Sequence, residues 1–153
     1  MQSKKPNDVR SEIFQWGDNF LLGYGPMDNV HQEFVNQVSQ LLSAPNEDLL
    51  ELMNALEMHT KSHFDLEKQW MMNTRFPPMD CHVEEHDAVI QSISEVRDLV
   101  AAGDYDVCRR LATSLADWFP KHADYLDSAL AHWMCKRQFG GKPVVIRRDI
   151  EKR

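Results

Sequence analysis

A chain of 153 residues, 42% hydrophobic and 27% charged, is long enough to bury one core and too short for two full domains. Its net charge of −7 is a poor match for nucleic acid, and no apolar run approaches the length of a transmembrane span. The opening MQSKKPND has no apolar signal region, and Cys81, Cys108 and Cys135 form no CxxC pair, so the thiols read as reduced and the protein as cytoplasmic.

Residues 1–26 read as an arm. Val9, Ile13, Phe14, Trp16, Phe20, Leu21, Leu22 and Tyr24 are too apolar for a free end and are expected to lie across the fold, with Gly17, Gly23 and Gly25 as bends. Pro26 and Asp28 open the first helix, whose apolar face runs Phe34, Val35, Val38, Leu41, Leu42 until Pro45 stops it. Asn46 caps the second, with Glu47 and Asp48 at its positive dipole end. Its stripe is Leu49, Leu52, Met53, Leu56, Thr60, His63, Glu67, Trp70, and Phe76-Pro77-Pro78 ends it. Asp80 caps the third, with His82, His86, Val89, Ile93, Val96 and Val100 on one face and Gly103 closing it. The fourth runs from Asp104 through Cys108, Leu111, Leu115, Trp118, His122, Ala129 and Trp133, and Pro120 predicts a kink just before His122.

Apart from Val144-Val145-Ile146, no segment alternates as a strand does, and connections this short favour antiparallel neighbours. The expected fold is all-α, an up-down-up-down antiparallel four-helix bundle over residues 27–135. Residues 136–153 read as a basic tail. They carry seven Lys and Arg against two acidic residues, a net of +5, which leaves −12 on the rest. The Gly140-Gly141 pair and Pro143 make this tail an appendage, either a solvated end or an arm for an anionic partner or membrane surface.

Most of the seven histidines fall inside the helical stripes. A lone histidine on an apolar face is usually a satisfied core residue. Five facing inward, His31, His63, His82, His86 and His122, would cost several kcal/mol if left unpaired, and a transition metal removes that objection. The pairs His63/Glu67 and His82/His86 are four apart, so each pair can converge on one centre. Asp127 follows His122 by five, roughly 140° round an α-helix, which suits a carboxylate reaching across to a second metal. Five histidines and two carboxylates exceed the needs of one zinc.

Trp16, Gly23-Tyr24, Met27-Asp28-x-x-His31, His63-Phe64-x-x-Glu67 with Met71, Phe76-Pro77, His82-x-x-x-His86 and Trp118-x-x-x-His122-x-x-x-x-Asp127 resemble the hemerythrin family in its bacterial single-domain form. That resemblance implies a non-haem di-iron centre that binds O₂ reversibly, and no enzymatic role. It places His82, His86 and His122 on one iron and His31 and His63 on the other, with Glu67, Asp127 and an oxo or hydroxo group bridging them. The iron held by His31 and His63 keeps the open position for O₂. Phe34, Phe64 and Trp118 are expected to wall that pocket, and Tyr125 stands where relatives more often carry an aliphatic wall residue. In the pocket its phenol would donate a hydrogen bond or relay a proton and so shorten the life of the oxygenated form; in the alternative its hydroxyl points to solvent or a backbone carbonyl and the ring merely packs. His59 reads as a packing residue beside the ligands and His132 as solvated.

Two other readings compete. His82-Val83-Glu84-Glu85-His86 fits the H-x-x-E-H zinc-peptidase pattern, but that leaves five candidate ligands unexplained, and Glu84 and Glu85 read more simply as a solvated face. A di-iron oxidase or iron-storage bundle typically uses four Glu and two Glu-x-x-His motifs, whereas here imidazoles outnumber carboxylates. An O₂ or redox sensor would share the ligand set, and with no signalling domain in the sequence the reading leans to a carrier or store.

Overall fold

The computed structural model describes residues 14–141 and 143–146. Helix α1 spans Gly25–Ser43, α2 Leu49–Thr74, α3 Met79–Ala101 and α4 Asp106–His122. A five-residue π turn, Ala123–Asp127, carries α4 without a break into α5, Ser128–Phe139. Counting α4, the π turn and α5 as one rod, four helices pack in a ring, α1 on α2, α2 on α3, α3 on α4, and α4 back on α1. No strand occurs among the described residues, and the fold is an all-α four-helix bundle. No helix is long and apolar enough to cross a membrane.

Helix ends follow local chemistry. Gly103 has φ +98°, its N–H bonds to the Val100 carbonyl at 3.0 Å, and the Asp104 N–H bonds to Leu99 at 2.9 Å. This is the Schellman closure, which an L side chain would strain. Asp104 then caps the next helix, its carboxylate accepting the Val107 N–H at 3.3 Å, although regular helix begins at Asp106. Asp80 is not a cap as expected. Pro78 holds that place without a side-chain cap bond, and Asp80 falls in the first turn of α3, where its charge faces the positive end of the helix dipole. Asn46 likewise lies in a single 3₁₀ turn, Asn46–Asp48, that feeds α2.

The bundle interior has three layers. Phe34, Val38, Leu41, Met53, Leu56, Ile93, Leu115 and Phe119 belong to a large apolar cluster. Met27, Met71, Phe76, Leu130, Ala131 and Met134 form a second cluster. Along the helices, His31, His63, Glu67, His82, His86, His122 and Asp127 fall between the two, all buried.

Chain order explains why the fourth rod departs from its expected stripe. A continuous α-helix from His122 would bury Ala129 and Trp133. Instead Asp127, Leu130 and Met134 are buried, each one residue late, because the π turn takes in one extra residue. The helix runs on through Pro120, and a π turn follows His122.

The described part of the arm lies against the bundle at Phe119. Phe20, in the 3₁₀ turn Asp18–Phe20, lies 5.6 Å from the Phe119 ring, and Phe14 is buried beside it. Val9 and Ile13 lie outside the described residues. Asp28 accepts the amides of Leu22 at 2.9 Å and Gly23 at 3.1 Å, fixing the entry to α1. The tail is not wholly an appendage. Helix α5 continues to Phe139, and Pro143 and Val145 return to the arm at Gly23. A Cβ on Gly23 would stand 2.6 Å from Pro143 Cβ, so the proline is seated where glycine leaves room. Lys142 and residues 147–153, with much of the basic charge, lie outside the described residues.

Candidate metal centre

Each helix contributes inward polar groups at one level. His31 comes from α1, His63 and Glu67 from α2, His82 and His86 from α3, His122 from the end of α4, and Asp127 from the last residue of the π turn. The expected 140° offset between His122 and Asp127 does not hold. Five residues make one hydrogen-bonded π turn, so Asp127 lies above His122 on the same face, with Oδ1 3.2 Å from His122 Nε2.

All five imidazoles present Nε2 to the centre, and the two carboxylates divide their oxygens between two groups. Glu67 Oε2 is 2.6 Å from His63 Nε2 and 3.4 Å from His31 Nε2, while Oε1 is 3.2 Å from His82 Nε2 and 3.7 Å from His86 Nε2. Asp127 repeats this, with Oδ2 3.1 Å from His31 and Oδ1 2.9 Å from His82. Glu67, His82, His86, His122 and Asp127 each offer one donor atom within 4.8 Å of the others, and so do His31, His63 and Glu67. The sequence-predicted set of seven therefore meets as two groups sharing a carboxylate.

This donor set fits metal better than hydrogen bonding. His31 Nε2, His82 Nε2, Glu67 Oε1 and Asp127 Oδ1 are buried and close to partners, yet none is aligned in a hydrogen bond. Atoms that converge on a common point rather than on one another suit cations placed between them. Protonation shows the same demand for positive charge. Burial resists charging His31, but Asp127 and Glu67 overcome it and raise its pKa to about 10. His82, despite burial, is raised to about 9 by the same carboxylates. His86 is lowered to about 3, because burial, reinforced by His82 and His122, outweighs the pull of Glu67. Burial opposes ionisation of Glu67 and Asp127 too, and the surrounding histidines nevertheless hold both below the usual carboxylate range.

Aromatic rings wall the cluster. Phe64 stacks on His86 at 3.7 Å, Trp118 stacks on His122 at 4.4 Å, and Phe34 meets His63 edge-on at 6.3 Å. Phe119, which sequence reasoning did not single out, meets His31 edge-on at 5.1 Å, and its place in the apolar stripe one residue after Trp118 was the available signal. Tyr125 is a correction. It is 78% exposed, because the wider π turn swings the third residue after His122 away from the core, and it does not line the centre. His59 stands outside the cluster, 2.9 Å from Glu33 and bonded to Gln37, and His132 is exposed. Glu84 is exposed as expected, but Glu85 turns inward, 2.9 Å from His122 Nδ1.

The family model for the hemerythrin HHE cation binding domain matches residues 22–133. A protein named bacteriohemerythrin from Ralstonia nicotianae is 35% identical over 125 residues, covering 82% of this chain and 91% of its own. Bacteriohemerythrins from Stenotrophomonas maltophilia and Pseudomonas aeruginosa are 25% and 29% identical, covering 84% and 78% of this chain and 92% and 82% of their own lengths. No solved structure matches the chain significantly.

Proposed function

We infer that this chain, which belongs to the hemerythrin family, binds O₂ reversibly at a pair of iron ions and serves as an oxygen carrier or store. The observation that carries the reading is the division of both carboxylates. Each of Glu67 and Asp127 turns one oxygen to the His31 side and the other to the His82 side, as bridges between two cations would. A pair of ferrous ions held by these seven residues would supply the redox chemistry that reversible O₂ binding needs.

The residues around them set what happens to O₂. His82, His86 and His122 make three imidazole donors on one side against His31 and His63 on the other. With the carboxylates shared, the His31 side has one protein donor fewer, and O₂ would bind there, near Phe34 and Phe119. These rings, with Phe64 on His86 and Trp118 on His122, are apolar walls that would limit the access of water to the site. Two carboxylates among seven donors supply less negative charge than the four Glu of di-iron oxidases, so higher iron oxidation states are less favoured and release of O₂ is favoured over its activation.

Anaerobic reconstitution with ferrous iron, metal analysis, and optical spectra through repeated cycles of air and deoxygenation test the reading. Two irons per chain and a band that appears and vanishes with O₂ are expected. A single zinc with no iron uptake would sink it, and steady turnover of peroxide by the reduced protein would replace it with an oxidase.

A further inference from the structure

Beyond the seven convergent side chains, one half-exposed carboxylate reaches the outer edge of the cluster. Glu85 precedes His86 on α3, yet its side chain crosses to α4. There Oε1 accepts the Trp118 Nε1–H at 2.9 Å and the His122 Nδ1–H at 2.9 Å. An ionised carboxylate has only acceptors, so His122 must carry its proton on Nδ1, which leaves the Nε2 lone pair facing the cluster. The two rings gripped by this oxygen are themselves stacked, 4.4 Å apart at 26°.

The place needs such a grip. Pro120 removes one helical hydrogen bond just before His122, and the π turn begins just after it, so the backbone here is the least regular of the four rods. By contrast, the Nδ1 atoms of His31, His63 and His82 are buried with no hydrogen-bond partner among the described residues. Ala88, Val89, Leu115 and Trp118 line the same groove as Glu85, and its side chain is only 40% exposed. Partial removal from water strengthens a charge-assisted bond.

We propose that Glu85 is the positioning residue of this centre, holding His122 in the tautomer and orientation that present Nε2 to the metal and making it a stronger donor than the imidazoles opposite. The inference rests on the metal reading above. Glu85 also couples α3 to α4 at the level of the cluster, next to His86 in sequence and bonded to His122 across the helices. Their Nε2 atoms lie 3.0 Å apart.

The test uses the full chain and two variants, Glu85→Ala and Glu85→Gln. Metal-free protein is titrated anaerobically with Co(II) against a competing chelator, and the iron-loaded protein is titrated for its reduction potential. Loss of the contact in Glu85→Ala is expected to weaken Co(II) affinity roughly 10–100-fold. Glu85→Gln keeps an acceptor of the same shape but not the charge. It should bind Co(II) within about fivefold of wild type while the iron potential moves positive, a shift that a purely structural role would not produce. The isosteric variant also keeps the test open if the alanine variant melts early. Wild-type affinity in Glu85→Ala, or an unmoved potential in Glu85→Gln, overturns the proposal for Glu85 alone. A wild-type protein that takes up no metal overturns the metal reading and this inference with it.

Discussion

Deleting Tyr125 isolates the role of the π turn. If Ala123–Asp127 is an α-helix with one residue inserted, removing an exposed residue from it restores a regular helix and leaves α5 in register. Asp127 then follows His122 by four residues and still faces it. If the turn were ordinary helix, the same deletion would rotate everything downstream by about 100°. Leu130 and Met134, fully buried and 3% exposed, would turn outward at about 1.5–3 kcal/mol each. That total, about 3–6 kcal/mol, would consume much of a typical domain's stability and drop the melting temperature by about 6–24 °C. From the π turn we expect a cost of no more than about 1 kcal/mol, or roughly 4 °C. Circular dichroism melts of the metal-free protein and Co(II) uptake are the measurements. A large fall in melting temperature, or loss of one of two bound metals, would refute the insertion argument.

Three further expectations follow from the geometry. His63→Ala should abolish binding of a metal pair while His59→Ala keeps it, because His63 Nε2 lies 2.6 Å from Glu67 and His59 faces Glu33 and Gln37 instead; equal loss in metal analysis would misplace the ligand. Gly23→Ala should destabilise the full chain by about 1 kcal/mol or more, since φ is +88° and Pro143 occupies the space. In a chain ending at Gly141 the steric part of that cost disappears, and an undiminished cost in denaturant titrations would mean that Pro143 does not rest there. The metal-free protein should lose stability as pH rises from about 6.5 through 9 to 10. His31 and His82 have raised pKa values, so their protonated forms favour folding fully below the unfolded value and cease to as they deprotonate. The metal-loaded protein should lack this decline, because metal takes the place of those protons and binds more tightly as they leave. Parallel melting curves against pH would count against metal and protons sharing the same donors.

The sequence by itself determined the helices, their order and the inward place of the candidate donors. Helical periodicity is local, and a histidine or glutamate at a stripe position reports its own orientation wherever the helix is regular. His31, His63, Glu67, His82 and His86 lie in regular stretches, and each faces the cluster from its expected position. Only the tertiary structure decided what happens after His122. A π turn carries no local signature as strong as a proline or a glycine, and this one lets the bundle hold both His122 and Asp127 at the centre with Leu130 in the core. From that one inserted residue come the burial of Leu130 and Met134 in place of Ala129 and Trp133, and the exposure of Tyr125. Contacts between helices were equally out of reach. The inward turn of Glu85 toward His122 and the seat of Pro143 on Gly23 join residues 37 and 120 positions apart, and no one-dimensional period connects them.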